Sequence, residues 1–92
     1  MFLEIVTPEA VLFKGEVDSV AVPGVNGEFQ MLNNHAPIVS LLQEGTVKIH
    51  GDIKINEAYK SKFKTGDKGV TLLPITSGTI ELKDNKVIVL AD

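Results

Sequence analysis

Cysteine, arginine and tryptophan are all missing from this chain of 92 residues. Without cysteine there is no disulfide, no thiolate metal site and no thiol nucleophile. Without arginine the planar fork that grips phosphate and guanine is lost, which argues against nucleic acid as the main ligand. The aromatic residues are scarce too, at 5% of the chain, so bases would find few stacking platforms. No apolar run approaches the roughly 18 residues that a membrane-spanning helix needs. The start, Met1-Phe2-Leu3-Glu4, lacks the basic region of a secretory signal. Segments with ten or more residues at helical spacing are also absent.

What remains is a chain with 43% hydrophobic and 23% charged residues and a net charge of −3. That composition belongs to a globular fold, and the length to a single domain spanning residues 1–92. Its dominant period is two. In Val47–Ile55, Val47, Ile49, Ile53 and Ile55 share one parity and Lys48, His50, Asp52 and Lys54 the other, as in a half-buried β ribbon. Keeping the apolar set on one face predicts a three-residue loop, His50-Gly51-Asp52, that pairs Ile49 with Ile53. The same test near the C-terminus predicts a two-residue turn at Asp84-Asn85, pairing Leu82 with Val87 and Ile80 with Val89. Val87–Leu90 is apolar on both parities and is expected to be covered on both sides.

Further strands are expected over Phe2–Thr7, Val11–Phe13, Val17–Val22, Glu28–Leu32, Ile38–Leu42, Tyr59–Thr65 and Val70–Thr76. Eight glycines and four prolines punctuate them. Short strands with frequent turns predict an all-β fold, a sandwich or barrel. Residues 57–69 read as a solvated hairpin arm with Lys60, Lys62 and Lys64 along one face, a pattern suited to a solubilising edge or to an anionic partner.

Chemistry is sparse. His50 lies on a polar strand face beside a turn. His35 sits in the polar loop Asn33-Asn34-His35-Ala36-Pro37, where the imidazole is expected to hydrogen-bond the loop backbone. As a general base it would need an orienting carboxylate and a nucleophile, and nothing in the sequence fixes Ser40 or Asp18 beside it. Two distant histidines and scattered acids make no metal site. The sequence therefore predicts no catalytic residue, no cofactor and no metal, and an interaction or structural module rather than an enzyme.

Three stretches, taken in order, are similar to one family. They are Gly27-Glu28-Phe29-Gln30-Met31-Leu32-Asn33-Asn34-His35-Ala36-Pro37-Ile38, Leu42-Gln43-Glu44-Gly45-Thr46-Val47, and Ser77-Gly78-Thr79-Ile80-Glu81-Leu82 with Val87-Ile88-Val89-Leu90-Ala91-Asp92. Together they resemble the N-terminal domain of the epsilon subunit of F-type ATP synthases, over about 75 of the 92 residues.

The resemblance implies a flattened β-sandwich of about ten short, mostly antiparallel strands. It implies a non-catalytic rotor subunit that links the gamma subunit to the membrane c-ring and couples proton flow to ATP synthesis. Such a subunit sits peripherally on the cytoplasmic face of the bacterial plasma membrane, neither entering the bilayer nor binding nucleic acid, and is a monomer when isolated. The partner-binding residues implied are Gly27, Glu28, Phe29, Met31, Asn33, Asn34, His35, Ala36 and Pro37, with Glu28 near the c-ring loops and the His35 loop facing gamma and the ring.

Several positions depart from the family pattern. Asn33-Asn34 stands where Pro-Gly is usual, and Asn34 can take the same left-handed turn. Thr79 replaces a glycine, which questions a close backbone approach there. Residues 51–69 run about a dozen residues longer, predicting a protruding hairpin. The family's C-terminal helical hairpin is missing, so a chain ending at Asp92 is expected not to brake ATP hydrolysis. Two other readings remain: a β-barrel binding module for single-stranded nucleic acid or carbohydrate, and a small hydrolase built on His35.

Overall fold

The computed structural model describes residues Met1–Asp92. Ten strands form one strongly curled sheet: β1 (Phe2–Val6), β2 (Val11–Glu16), β3 (Ser19–Gly24), β4 (Gly27–Met31), β5 (Ile38–Leu42), β6 (Gly45–His50), β7 (Lys64–Thr65), β8 (Thr71–Ile75), β9 (Gly78–Lys83) and β10 (Lys86–Ala91). Their spatial order is β2-β1-β10-β9-β5-β3-β6-β8-β7, with β4 paired to β3. The molecule measures 32 × 24 × 24 Å. All pairs are antiparallel except β1 with β10.

Strand parity decides what lies inside. Leu3 and Ile5 of β1, Val87 and Val89 of β10, and Ile80 and Leu82 of β9 all point into one core and are almost fully buried. Val47 and Ile49 of β6, Val20 and Val22 of β3, and Met31 of β4 meet them from the other half of the curl. Fully burying such a side chain stabilises a fold by about 1.5–3 kcal/mol. No buried side-chain nitrogen or oxygen lacks a hydrogen-bond partner.

The C-terminal hairpin has the predicted register, Leu82 opposite Val87 and Ile80 opposite Val89. Asp84 (φ 52°) and Asn85 (φ 61°) are both left-handed, as a type I′ turn requires. Its outer face differs from expectation: Ile88 is half-buried and Leu90 is 50% exposed, so β10 is covered on one side only.

The ribbon predicted over Val47–Ile55 does not form. The chain turns at Gly51 (φ 144°), and the His50 carbonyl accepts from Asp18 N–H at 2.8 Å. Strand β6 instead pairs with β3 and β8.

The arm over residues 57–69 is corrected as well. Glu57–Lys62 is a 3-10 helix capped by Asn56, whose Oδ1 accepts from Ala58 N–H at 2.9 Å. Only Lys64–Thr65 is strand, so Lys60, Lys62 and Lys64 do not share one strand face. Nor does the arm project as a hairpin, because Ile53, Ile55, Tyr59 and Phe63 pack against the core. It fills the seam left between β2 and β8. Lys62 lines one cleft with Leu12, Leu73, Pro74 and Ile75, and Lys54 and Asn56 line another with Val11, Leu12, Phe13 and Lys14.

Candidate functional site

The residues singled out in the sequence fall at the two ends of the β3–β4 hairpin. Gly27 and Glu28 lie at the turn, where Gly24 pairs with Gly27 and Pro23 with Glu28. The Asn33–Pro37 loop lies beyond Met31, at the far end of β4. The five residues of β4 separate the two groups by about 16 Å at strand rise. They therefore form two surfaces rather than one.

At the turn, Glu28 Oε1 meets Lys48 Nζ at 2.9 Å, with both side chains about half exposed. Lys48 sits on β6 and Glu28 on β4, on either side of β3. Phe29 is half-buried and packs on the core. Met31 is completely buried, and a side chain with no exposed surface makes no direct partner contact. Its place in the candidate set is corrected to core: the alternation Phe29-Gln30-Met31 carries Met31 inward.

The far loop is held by hydrogen bonds. The Met1 ammonium donates to Asn33 Oδ1 at 2.6 Å and to the Val17 carbonyl at 3.2 Å. Asn34 takes the left-handed conformation, with φ 62°. Its backbone N–H donates to Asn85 Oδ1 at 2.9 Å, and Asn85 Nδ2 reaches Asn33 Oδ1 at 3.4 Å. His35 Nδ1 lies 2.7 Å from the Ala36 carbonyl, so the imidazole engages its own loop, as expected. Asn33, Asn34, His35, Ala36 and Pro37 are exposed.

Asn85 was read in the sequence only as a turn residue, yet it ties the β9–β10 turn to this loop. Asn85→Gly keeps the turn conformation and deletes the brace. The expected cost is about 1 kcal/mol, with faster hydrogen exchange at the Asn34 amide. Thermal melts and exchange rates check it.

A third surface also escaped the sequence reading. On the outer face, register places Leu41 of β5 opposite Thr79 of β9, Thr79 opposite Leu90 of β10, Leu90 opposite Val6 of β1, and Val6 opposite Val11 of β2. Leu41 is 63%, Leu90 50% and Val11 46% exposed. Val39, at 76%, flanks the row, and Val25 hydrogen-bonds the Leu41 carbonyl beside it at 3.2 Å. Toward the other end of the same face the side chains turn ionic: Lys86 lies 3.9 Å from Glu4 and 5.7 Å from the Phe2 ring centroid. The signal in the sequence was Leu41 and Leu90, apolar residues on the parity opposite the core.

Among the His, Asp and Glu residues no group of three or more is placed to hold a metal ion. No helix is long and apolar enough to cross a membrane.

Residues 1–61 match the family described as ATP synthase, Delta/Epsilon chain, beta-sandwich domain. The chain is 37% identical to the ATP synthase epsilon chain of Leptospira interrogans over 90 residues, which cover 98% of this chain and 59% of that one. It is 34% identical to the ATP synthase epsilon chain of Chlorobaculum tepidum, covering 98% and 86%. In fold it is similar to a chain of the Tetrahymena thermophila mitochondrial ATP synthase central stalk and c-ring, with a TM-score of 0.71, 14% identity, and 98% and 61% of the two chains covered. The chain thus spans a little under two thirds of the Leptospira relative.

Proposed function

The chain belongs to the ATP synthase delta/epsilon chain family, and from that membership we propose that it is a non-catalytic subunit of the central stalk. In this reading it links the gamma subunit to the c-ring and so helps couple proton flow to ATP synthesis. It is held peripherally at the cytoplasmic face of a bacterial membrane by those partners.

The observation that carries the proposal is the outer apolar row. Leu41, Leu90, Val11 and Val39 are exposed on the outer face of a hydrogen-bonded sheet, and exposed apolar side chains gathered on one face support a protein interface there. A rigid sheet suits a joint under torque, because its backbone is tied across the whole row. We assign this face to gamma.

The Glu28 turn takes the c-ring. Its carboxylate already pairs with an ammonium in a half-exposed geometry. It can exchange Lys48 for a cationic or amide side chain on a c-ring loop, through a charge-assisted hydrogen bond.

Co-expression with gamma and the c-ring tests the assignment. The chain should co-purify with gamma in low and moderate salt, since apolar contact resists screening. Recovery of gamma and c-ring without this chain would overturn it. Glu28→Lys, which brings two ammonium groups together at Lys48, should weaken retention on the c-ring while leaving gamma bound. An exposed pair contributes about 0–1 kcal/mol, so the melting temperature should fall by no more than a few degrees.

A further inference from the structure

The segment Asp52–Ile55 behaves as a strand without a partner. Its burial alternates, with Ile53 and Ile55 half-buried against the core and Asp52 and Lys54 exposed. Yet it belongs to no strand of the sheet, and no backbone–backbone hydrogen bond outside the helices and strands involves its N–H or C=O groups. Unpaired backbone polar groups in a row are a template for another strand.

The segment forms one wall of an open groove of about 760 Å³. Phe63, Lys64, Thr65 and Thr71 line the groove with it. Lys64 and Thr65 are β7, whose strand neighbour is β8. Main-chain groups without a backbone partner on one wall and a sheet margin on the other leave room for an added extended segment.

Charge selects the occupant. Residues 51–69 hold five of the nine lysines and three of the twelve acids, so this segment is net +2 while the rest of the chain is net −5. At the groove, Lys60 is paired with Glu57 at 2.8 Å, whereas Lys54 and Lys64 have no carboxylate within salt-bridge distance. Ile53, Ile55 and Phe63 supply apolar floor between them.

We propose that this groove binds an extended acidic peptide segment of a partner protein, which adds as a strand along Ile53–Ile55 with alternate carboxylates on Lys54 and Lys64. Main-chain pairing supplies the fit and alternate side chains the selectivity, as in other strand-addition sites. The reading is independent of the gamma and c-ring surfaces, which lie on other strands.

A fluorescein-labelled peptide of alternating glutamate and valine, titrated into the intact chain by anisotropy, tests it. Hydrogen exchange reports where the peptide binds. Alternate amides along Ile53–Ile55, those that point to the added strand, should gain protection by about tenfold or more. Reversing both free lysines, Lys54→Glu with Lys64→Glu, should weaken binding at least about tenfold without moving the melting point by more than a few degrees, since both are exposed. A peptide with alternate amides N-methylated should bind correspondingly worse. The proposal fails if no binding is seen up to about 1 mM, a threshold near 4 kcal/mol. It also fails if binding ignores charge reversal, or if protection falls elsewhere. Sedimentation showing a dimer with Ile53–Ile55 protected in the absence of peptide would assign the groove to a second copy and overturn the acidic occupant.

Discussion

Gly78→Val should lower the melting temperature by about 15 °C, from a loss of about 3 kcal/mol. Gly78 opens β9 and is paired on both sides, with Leu42 of β5 and Ala91 of β10. A Cβ built there would run into the Leu90 carbonyl oxygen, with Ala91 Cα 3.2 Å away. Both obstacles are backbone within a hydrogen-bonded ladder, so neither can swing aside as a side-chain tip would. The strand would have to shift or the ladder to open, which disturbs the register at the mouth of the core. Thr79→Val is the matched control. Thr79 points to the outer face between Leu41 and Leu90, and its melting point should stay within a few degrees of the parent. Equal losses for the two variants would show that the close approach is not what Gly78 serves. The pair also explains how a threonine stands where the related pattern has a second glycine: the tight contact is one residue earlier.

Charging the outer row should have the largest functional effect. Leu41→Asp combined with Leu90→Asp places two carboxylates in the centre of the face assigned to gamma. Both leucines are half exposed or more in the isolated chain, so stability should change little. In a complex they would be desolvated, and a buried, unpaired carboxylate is costly. Affinity for gamma should fall at least 100-fold, equivalent to about 2.7 kcal/mol. Surface plasmon resonance against immobilised gamma, with circular dichroism melts of the same proteins, separates the two effects. Undiminished affinity would move the interface elsewhere.

The parts of this fold that were readable from sequence are those where local signals and tertiary pairing agree. Asp84-Asn85 tolerates left-handed backbone, and the parity of Leu82 and Val87 leaves a single sensible register; the structure has that register. Asn34 likewise takes the left-handed turn anticipated for it. The ribbon through Gly51 failed because parity says nothing about which strand is the neighbour. Residues on both sides of Gly51 keep one alternation, but β6 finds its partners in β3 and β8, and the chain leaves the sheet after His50.

Tyr59–Thr65 misled differently. Its lysines alternate, yet Tyr59 and Phe63 lie four apart, and Asn56-Glu57 is a helix-start signal that outweighs the alternation. Of the candidate contacts, the loop from Asn33 to Pro37 and the Glu28 turn were named through the family resemblance; by themselves those residues read as a polar loop and a surface charge. Val39, Leu41 and Leu90 were not named, because an apolar residue on a strand reads as core until the neighbours show which face is covered.

The parallel pairing of β1 with β10 sets Leu3 against Val87 and Ile5 against Val89. Strand β1 must therefore wait, unpaired on that side, until β10 is available. Loop-closure entropy across almost the entire chain precedes the reward, so assembly should be slow for a domain of this size. Until β10 has emerged, the nascent chain presents an open apolar edge along Leu3 and Ile5, and it is in that interval that a chaperone has something to hold.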